Sequence, residues 1–104
     1  MVKHVVMWRL KAEAEGAGKA ENARRIKAGL EALRGRIPGL VSLEVGLNVE
    51  PSAAAYDLVL FTVHETQEAL AAYQVHPEHA RVAELIGKVR SDRVVVDYLD
   101  EARS

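Results

Sequence analysis

The stretch Tyr56-Asp-Leu-Val-Leu-Phe-Thr-Val63 decides the fold. It has the length and alternation of a β-strand, yet it is apolar on both faces: Leu58 and Leu60 point one way, Val59, Phe61 and Val63 the other. A strand of this kind needs cover on both sides of its sheet. Three further segments share its period of two. In residues 2–11, His4, Val6, Trp8 and Leu10 fall on one face, with Lys3, Val5, Met7 and Arg9 on the other. Residues 40–47 place Val41, Leu43, Val45 and Leu47 together, and residues 93–99, RVVVDYL, supply a last strand.

Helical patterns lie between these strands. Residues 19–36 carry Ala23, Ile26, Leu30 and Leu33 at helical spacing, followed by Ile37, and Gly35, Pro38 and Gly39 end the helix. Thr66 is a cap for a short helix through Tyr73. Pro77 cannot sit inside that helix but suits the first turn of a new one running to about residue 90. His76, just before the proline, caps the break. Residues 12–18 and 48–55 read as solvated loops, and the closing DEARS as a polar tail.

The order β-α-β-β-α-α-β is a split βαβ pattern, an α+β ferredoxin-like arrangement. It predicts a four-stranded antiparallel sheet with helices on one face, in a single domain spanning residues 1–104. The other face would then expose Val5, Met7, Val59, Phe61, Val63, Val94 and Val96, a larger apolar patch than a monomer tolerates. The chain has no spare element to cover it, so a second copy is expected, sheet against sheet, in a homodimer.

Composition narrows the function. Lys and Arg number 14 against 15 Asp and Glu, a net charge of −1 that lacks the electrostatic footprint of a dedicated nucleic-acid binder. The basic residues of 19–36 are interleaved with glutamates and read as a solvated face rather than a nucleic-acid stripe. With no cysteine, disulfides and thiolate chemistry are excluded. No apolar run is long enough for a signal peptide or membrane span, and the default compartment is the cytoplasm.

The chemistry-bearing residues gather in YQVHPEH, residues 73–79, which holds two of the four histidines. His79 falls in the first turn of a helix, where the dipole and partial burial both favour neutral imidazole, the form that accepts a proton. It reads either as a general base or as a helix-start histidine that packs. Tyr73, before the break, reads as a hydrogen-bond donor to a developing enolate or as an amphipathic residue at the core edge. His4 lies on an apolar strand face, as a site histidine or a satisfied core residue. His64 is expected to be exposed. A metal site is not expected, because Pro77 separates His76 from His79 and no His-Glu-x-x-His pattern occurs. No cofactor is implied.

Taken together, VKHVVMWRLK, IPGLVSLEVG, YQVHPEH and DRVVVDY resemble the stress-responsive dimeric α/β-barrel (Dabb) domain family over almost the whole chain. The resemblance implies a ferredoxin-like fold and a dimer whose two sheets close into a barrel. Its best-understood activity is that of a plant polyketide cyclase, a cofactor-independent intramolecular aldol cyclisation; other members are stress-induced or heat-stable proteins. By that resemblance His79 matches the base, Tyr73 its partner and His4 a pocket histidine. This chain has Leu58 where the cyclase has a further histidine, and Leu30 where it has an aromatic residue.

An apolar pocket follows from the layout. Ile26 and Leu30 would meet Leu43, Leu58, Leu60 and Val95, with Trp8 nearby and His4, Tyr73 and His79 at one end, suited to a small apolar carbonyl ligand. A fully packed core of the same residues is the alternative. The competing functions are therefore a lyase or cyclase with His79 as base, a non-catalytic stress or ligand-binding protein, and, as a minor option, a cofactor-free monooxygenase or haem-degrading relative.

Overall fold

The computed structural model describes residues 1–100. Its elements run β1 (Val2–Leu10), β2 (Glu13–Ala14), β3 (Ala17–Gly18), α1 (Lys19–Glu31), β4 (Leu40–Leu47), β5 (Leu58–His64), α2 (Gln67–Val75), α3 (Pro77–Val89) and β6 (Arg90–Leu99). The four long strands form one antiparallel sheet in the order β4-β5-β1-β6. This is the α+β ferredoxin-like fold that the order of periodic segments predicts.

Alternation along the two central strands sorts the side chains. His4, Val6, Trp8 and Leu10 of β1, with Leu58, Leu60, Thr62 and His64 of β5, are buried beneath the helices. Ile26 and Leu30 of α1, Leu70 and Tyr73 of α2, and Ile86 and Val89 of α3 complete that core. The opposite face carries half-buried Val5, Val59, Phe61 and Val63 beside exposed Met7, Val94, Val96 and Tyr98. No element among the described residues lies over it.

Several boundaries differ from expectation, each for a local reason. Residues 12–18 are not a plain loop: Glu13 pairs with Gly18 and Ala14 with Ala17. Positive φ at Glu15 and Gly16 makes the tight turn between them. Asn22, fully buried on α1, donates from its amide to the carbonyls of Ala14 (3.0 Å) and Ala17 (3.3 Å), which fastens this hairpin to the helix. Helix α1 ends at Glu31, five residues early. Tighter turns follow, in which Leu33 N–H reaches the Leu30 carbonyl and Arg36 N–H the Leu33 carbonyl, and they still bury Leu33 and Ile37. Gly39 is obligatory at φ +83°, where a Cβ would stand 2.6 Å from the Ala69 Cβ.

Strand β4 does not bury its whole apolar row. Its register slips between Leu40 and Ser42, so Val41 bulges outward; Leu47 lies at the strand's end, and only Leu43 and Val45 are buried. Val95 is corrected in the same way. It pairs with Val6 and so faces the helices, but β6 is an edge strand and the side chain remains 44% exposed. The cations of α1 and of the turns after it are already engaged. Lys27 and Arg34 donate to the Val45 and Leu43 carbonyls of edge strand β4, while Arg24, Arg25, Lys27 and Arg34 form ion pairs with Glu21 or Glu31.

Thr66 caps α2, its hydroxyl accepting from Ala69 N–H at 3.0 Å. His76 adopts extended backbone before Pro77 and caps α3, with Nδ1 accepting from Glu78 N–H at 3.1 Å. Of the polar tail, Asp100 bonds back to the chain start, its N–H to the Met1 carbonyl and its carboxylate to Lys3; residues 101–104 lie outside the described part. Among the described residues no helix is long and apolar enough to cross a membrane.

Candidate functional site

The helix break brings Tyr73 and His79 together. The kink at His76–Pro77 folds the start of α3 back on the end of α2, so the two rings pack with centroids 4.4 Å apart. Directly beneath, the sheet contributes two more imidazoles. The His64 ring lies 4.8 Å from Tyr73, and His4 lies 6.3 Å from both Tyr73 and His64. The four rings form one cluster between the helix break and the centre of the sheet.

Partners differ sharply within it. His79 is half-buried, and its Nδ1 lies 3.2 Å from the Gln74 carbonyl. A carbonyl can only accept, so Nδ1 carries the proton and Nε2 is left with a lone pair. Burial pulls the His79 pKa below 6.5; the Gln74 hydrogen bond opposes this, and the positive charges of His4, Arg93 and His76 add to it. Neutral imidazole is therefore the form near pH 7. His4, almost fully buried, donates from Nδ1 to Asp97 Oδ1 at 2.5 Å, which leaves its own Nε2 free. Asp97 stands opposite His4 in the β1–β6 register.

His64 is the clearest departure from expectation. It continues the Leu58, Leu60, Thr62 alternation by one step, and so it is fully buried rather than exposed. Nε2 bonds to the Thr62 hydroxyl at 2.9 Å, while Nδ1 has no partner. Burial, then repulsion from His4, pushes its pKa down to about 4, against a weaker pull from Asp97. Tyr73 is also fully buried; its hydroxyl has no hydrogen-bond partner, and burial raises its pKa, so it keeps its proton.

A cavity of about 300 Å³ opens beside this cluster. His4 and His79 line it together with Trp8, Leu30, Leu60 and Ile86, and Val6, Gln74, Ala83, Gly87, Arg90 and Arg93 complete the wall. Of the residues expected there, Ile26, Leu43 and Leu58 instead fill the packed core, and Val95 lies outside on the edge strand. Tyr73 stands behind His79 rather than on the wall, reaching the cavity only through that ring contact. A larger concavity of about 460 Å³ lies by Met7, Gly46, Tyr56 and Val59, but no histidine or carboxylate lines it. The histidines line the smaller one.

Sequence reasoning missed Asp97, Arg90 and Arg93. The alternation of 93–99 does place Arg93, Val95 and Asp97 on one face, but only the β1–β6 register puts Arg93 beside Trp8 and Asp97 beside His4. Among the described residues no group of three or more His, Asp or Glu is gathered so as to hold a metal ion.

Comparison with known proteins agrees with this architecture. A stress-response A/B barrel domain-containing protein of Arabidopsis thaliana, DABB1, is 26% identical over 97% of this chain, which covers 48% of that protein; the chain thus spans about half the length of this curated relative. A protein of unknown function from Bacteroides fragilis, described as dimeric with a ferredoxin-like fold, superposes with a TM-score of 0.82 at 26% identity, covering 95% of each chain. A hydroxynitrile lyase from Passiflora edulis shares the fold, with a TM-score of 0.79 at 17% identity over 97% of this chain and 94% of its own. Residues 2–100 match the sequence model of the Stress Responsive A/B Barrel Domain, and the chain belongs to that family, Dabb.

Proposed function

We propose that this chain is a small-molecule protein whose helix-side cavity takes an apolar carbonyl compound and removes a proton next to the carbonyl, with His79 as general base. One observation carries the reading. Two imidazoles, His4 and His79, line the same cavity, each with Nδ1 committed to an acceptor and Nε2 free. A packed core has no need of two such groups facing one space.

The step needs no cofactor. His79 Nε2 takes the proton from the carbon next to the carbonyl, and the C–H electron pair becomes the C–C π bond of an enolate with its charge on oxygen. His4, held by Asp97, turns a second Nε2 lone pair to the cavity and accepts a hydrogen bond from a hydroxyl of the substrate or its enol. Tyr73 supports the His79 ring from behind, outside the cavity wall. In a cyclase the enolate carbon would then attack a second carbonyl of the same substrate, and the His79 imidazolium would return its proton to the new alkoxide.

The test is exchange of α-protons for deuterium in D2O, followed by NMR on a panel of apolar ketones and polyketide-like diketones. Wild type is expected to accelerate exchange for one class, with a loss of about a hundredfold or more in His79→Ala. Binding without exchange would sink the enzyme reading in favour of a ligand-binding stress protein.

We also propose that the uncovered sheet face is a homodimer interface. Its apolar row of Val5, Met7, Phe61, Val94 and Val96 supports this, as does the dimeric Bacteroides relative. Sedimentation should give a dimer for wild type and a monomer for Phe61→Glu. A monomeric wild type would refute it.

A further inference from the structure

The cavity wall holds two arginines and no carboxylate. Neither Arg90 nor Arg93 forms an ion pair among the described residues, although α1 pairs nearly every cation it carries with a glutamate. Arg90 has a structural explanation, since it caps the C-terminus of α3, where a cation offsets the helix dipole. Arg93 has none. It sits in mid-strand on β6, and its pairing with Trp8 turns it toward the helices rather than the open face. That placement leaves an unpaired guanidinium at the edge of a cavity that no carboxylate lines.

The neighbouring residue shapes that end of the cavity. Trp8 is 4% exposed and lines the cavity beside Arg93, its partner in the β1–β6 register. Its indole nitrogen is sealed from solvent, so Trp8 gives the site an apolar ring surface next to the guanidinium rather than a hydrogen bond. The charge of Arg93 also reaches His79, where it contributes to holding the imidazole in its neutral form.

We infer that the ligand is an apolar oxo acid whose carboxylate is held by Arg93 at the Trp8 edge of the cavity, with its hydrocarbon part on Leu30, Leu60 and Ile86. This rests on the cavity being a small-molecule site, as proposed above, and adds the charge and polarity of the molecule. The planar guanidinium matches a carboxylate through two parallel N–H donors. Anchored there, an oxo acid presents its carbonyl and acidic carbon deeper in the cavity, toward His4 and His79.

Trp8 is the only tryptophan, so its fluorescence reports on the cavity directly. The probes are octanoate and octanamide, equal in length and differing in charge. Octanoate is expected to bind about tenfold or more tighter than octanamide, the equivalent of ~1.4 kcal/mol. Arg93→Gln should bring the two within about twofold by weakening octanoate alone, and Arg93→Lys should restore part of the preference. Equal binding of both probes to wild type would overturn the anchor while leaving the cavity reading intact. An octanoate preference that survives Arg93→Gln would also overturn it, because the carboxylate would then be held elsewhere. No response to either probe would overturn the cavity reading and this inference together.

Discussion

His4 and His64 occupy neighbouring strands on the same buried face of one sheet, with ring centroids 6.3 Å apart, yet their surroundings are opposite. His4 has a carboxylate partner and a cavity before it. His64 has one hydroxyl partner, a ring nitrogen with no partner, and Tyr73 sealing it from above. Burial alone therefore does not make a histidine a site. A histidine becomes chemically useful when one nitrogen is held and the other faces space that a ligand can enter.

The largest expected effect lies on the sealed side. Burial lowers the His64 pKa from 6.5 to about 4. As pH falls through 6.5 the unfolded chain takes up this proton while the folded chain does not. Stability should therefore drop between pH 6.5 and about 4 and then level off for this group. The loss is roughly 3 kcal/mol. Urea unfolding of wild type and His64→Leu across that range measures it, because the difference between the two profiles removes what other groups contribute. Parallel profiles would mean that His64 is not sealed, and the contrast with His4 would collapse.

A smaller effect is expected on the open side. Asp97→Ala removes the acceptor that fixes His4, leaving a buried N–H unpaired. Because the Asp97 side chain is 40% exposed, the cost should be about 1 kcal/mol, the low end of the range for such a loss. The sharper readout is the tautomer. Nitrogen shifts should show His4 protonated at Nδ1 in wild type and losing that preference in the variant, while His64 is unaffected. A His4 signal indifferent to Asp97→Ala would break the pairing on which its role depends.

Much of this architecture is legible in the chain because period-two and helical patterns report local geometry. Leu58 to Val63 announces a two-sided strand, Pro77 a second helix, Thr66 and His76 their caps. The misread elements are those settled by tertiary neighbours. His64 looks like the residue after a strand until the hairpin partner of β5 extends the ladder through it. Val95 follows its strand's alternation faithfully, but edge position leaves it exposed. In the site, His79 beside Tyr73 is foreseeable from the helix break, since both lie within seven residues. The His4–Asp97 and Trp8–Arg93 pairs join strands from opposite ends of the chain, and only the register of the folded sheet brings them together.

His79 is a neutral imidazole facing the cavity, the arrangement the proposed base requires, while His64 is sealed. An NMR titration of all the histidine rings, alone and with a panel of apolar carbonyl compounds and oxo acids, tests this contrast most directly. His79 is expected to titrate below 6.5, protonated at Nδ1, and to shift with one compound class, while His64 stays silent until near pH 4. A His79 that titrates at its ordinary value and ignores every compound, or a His64 that responds in its place, would contradict it.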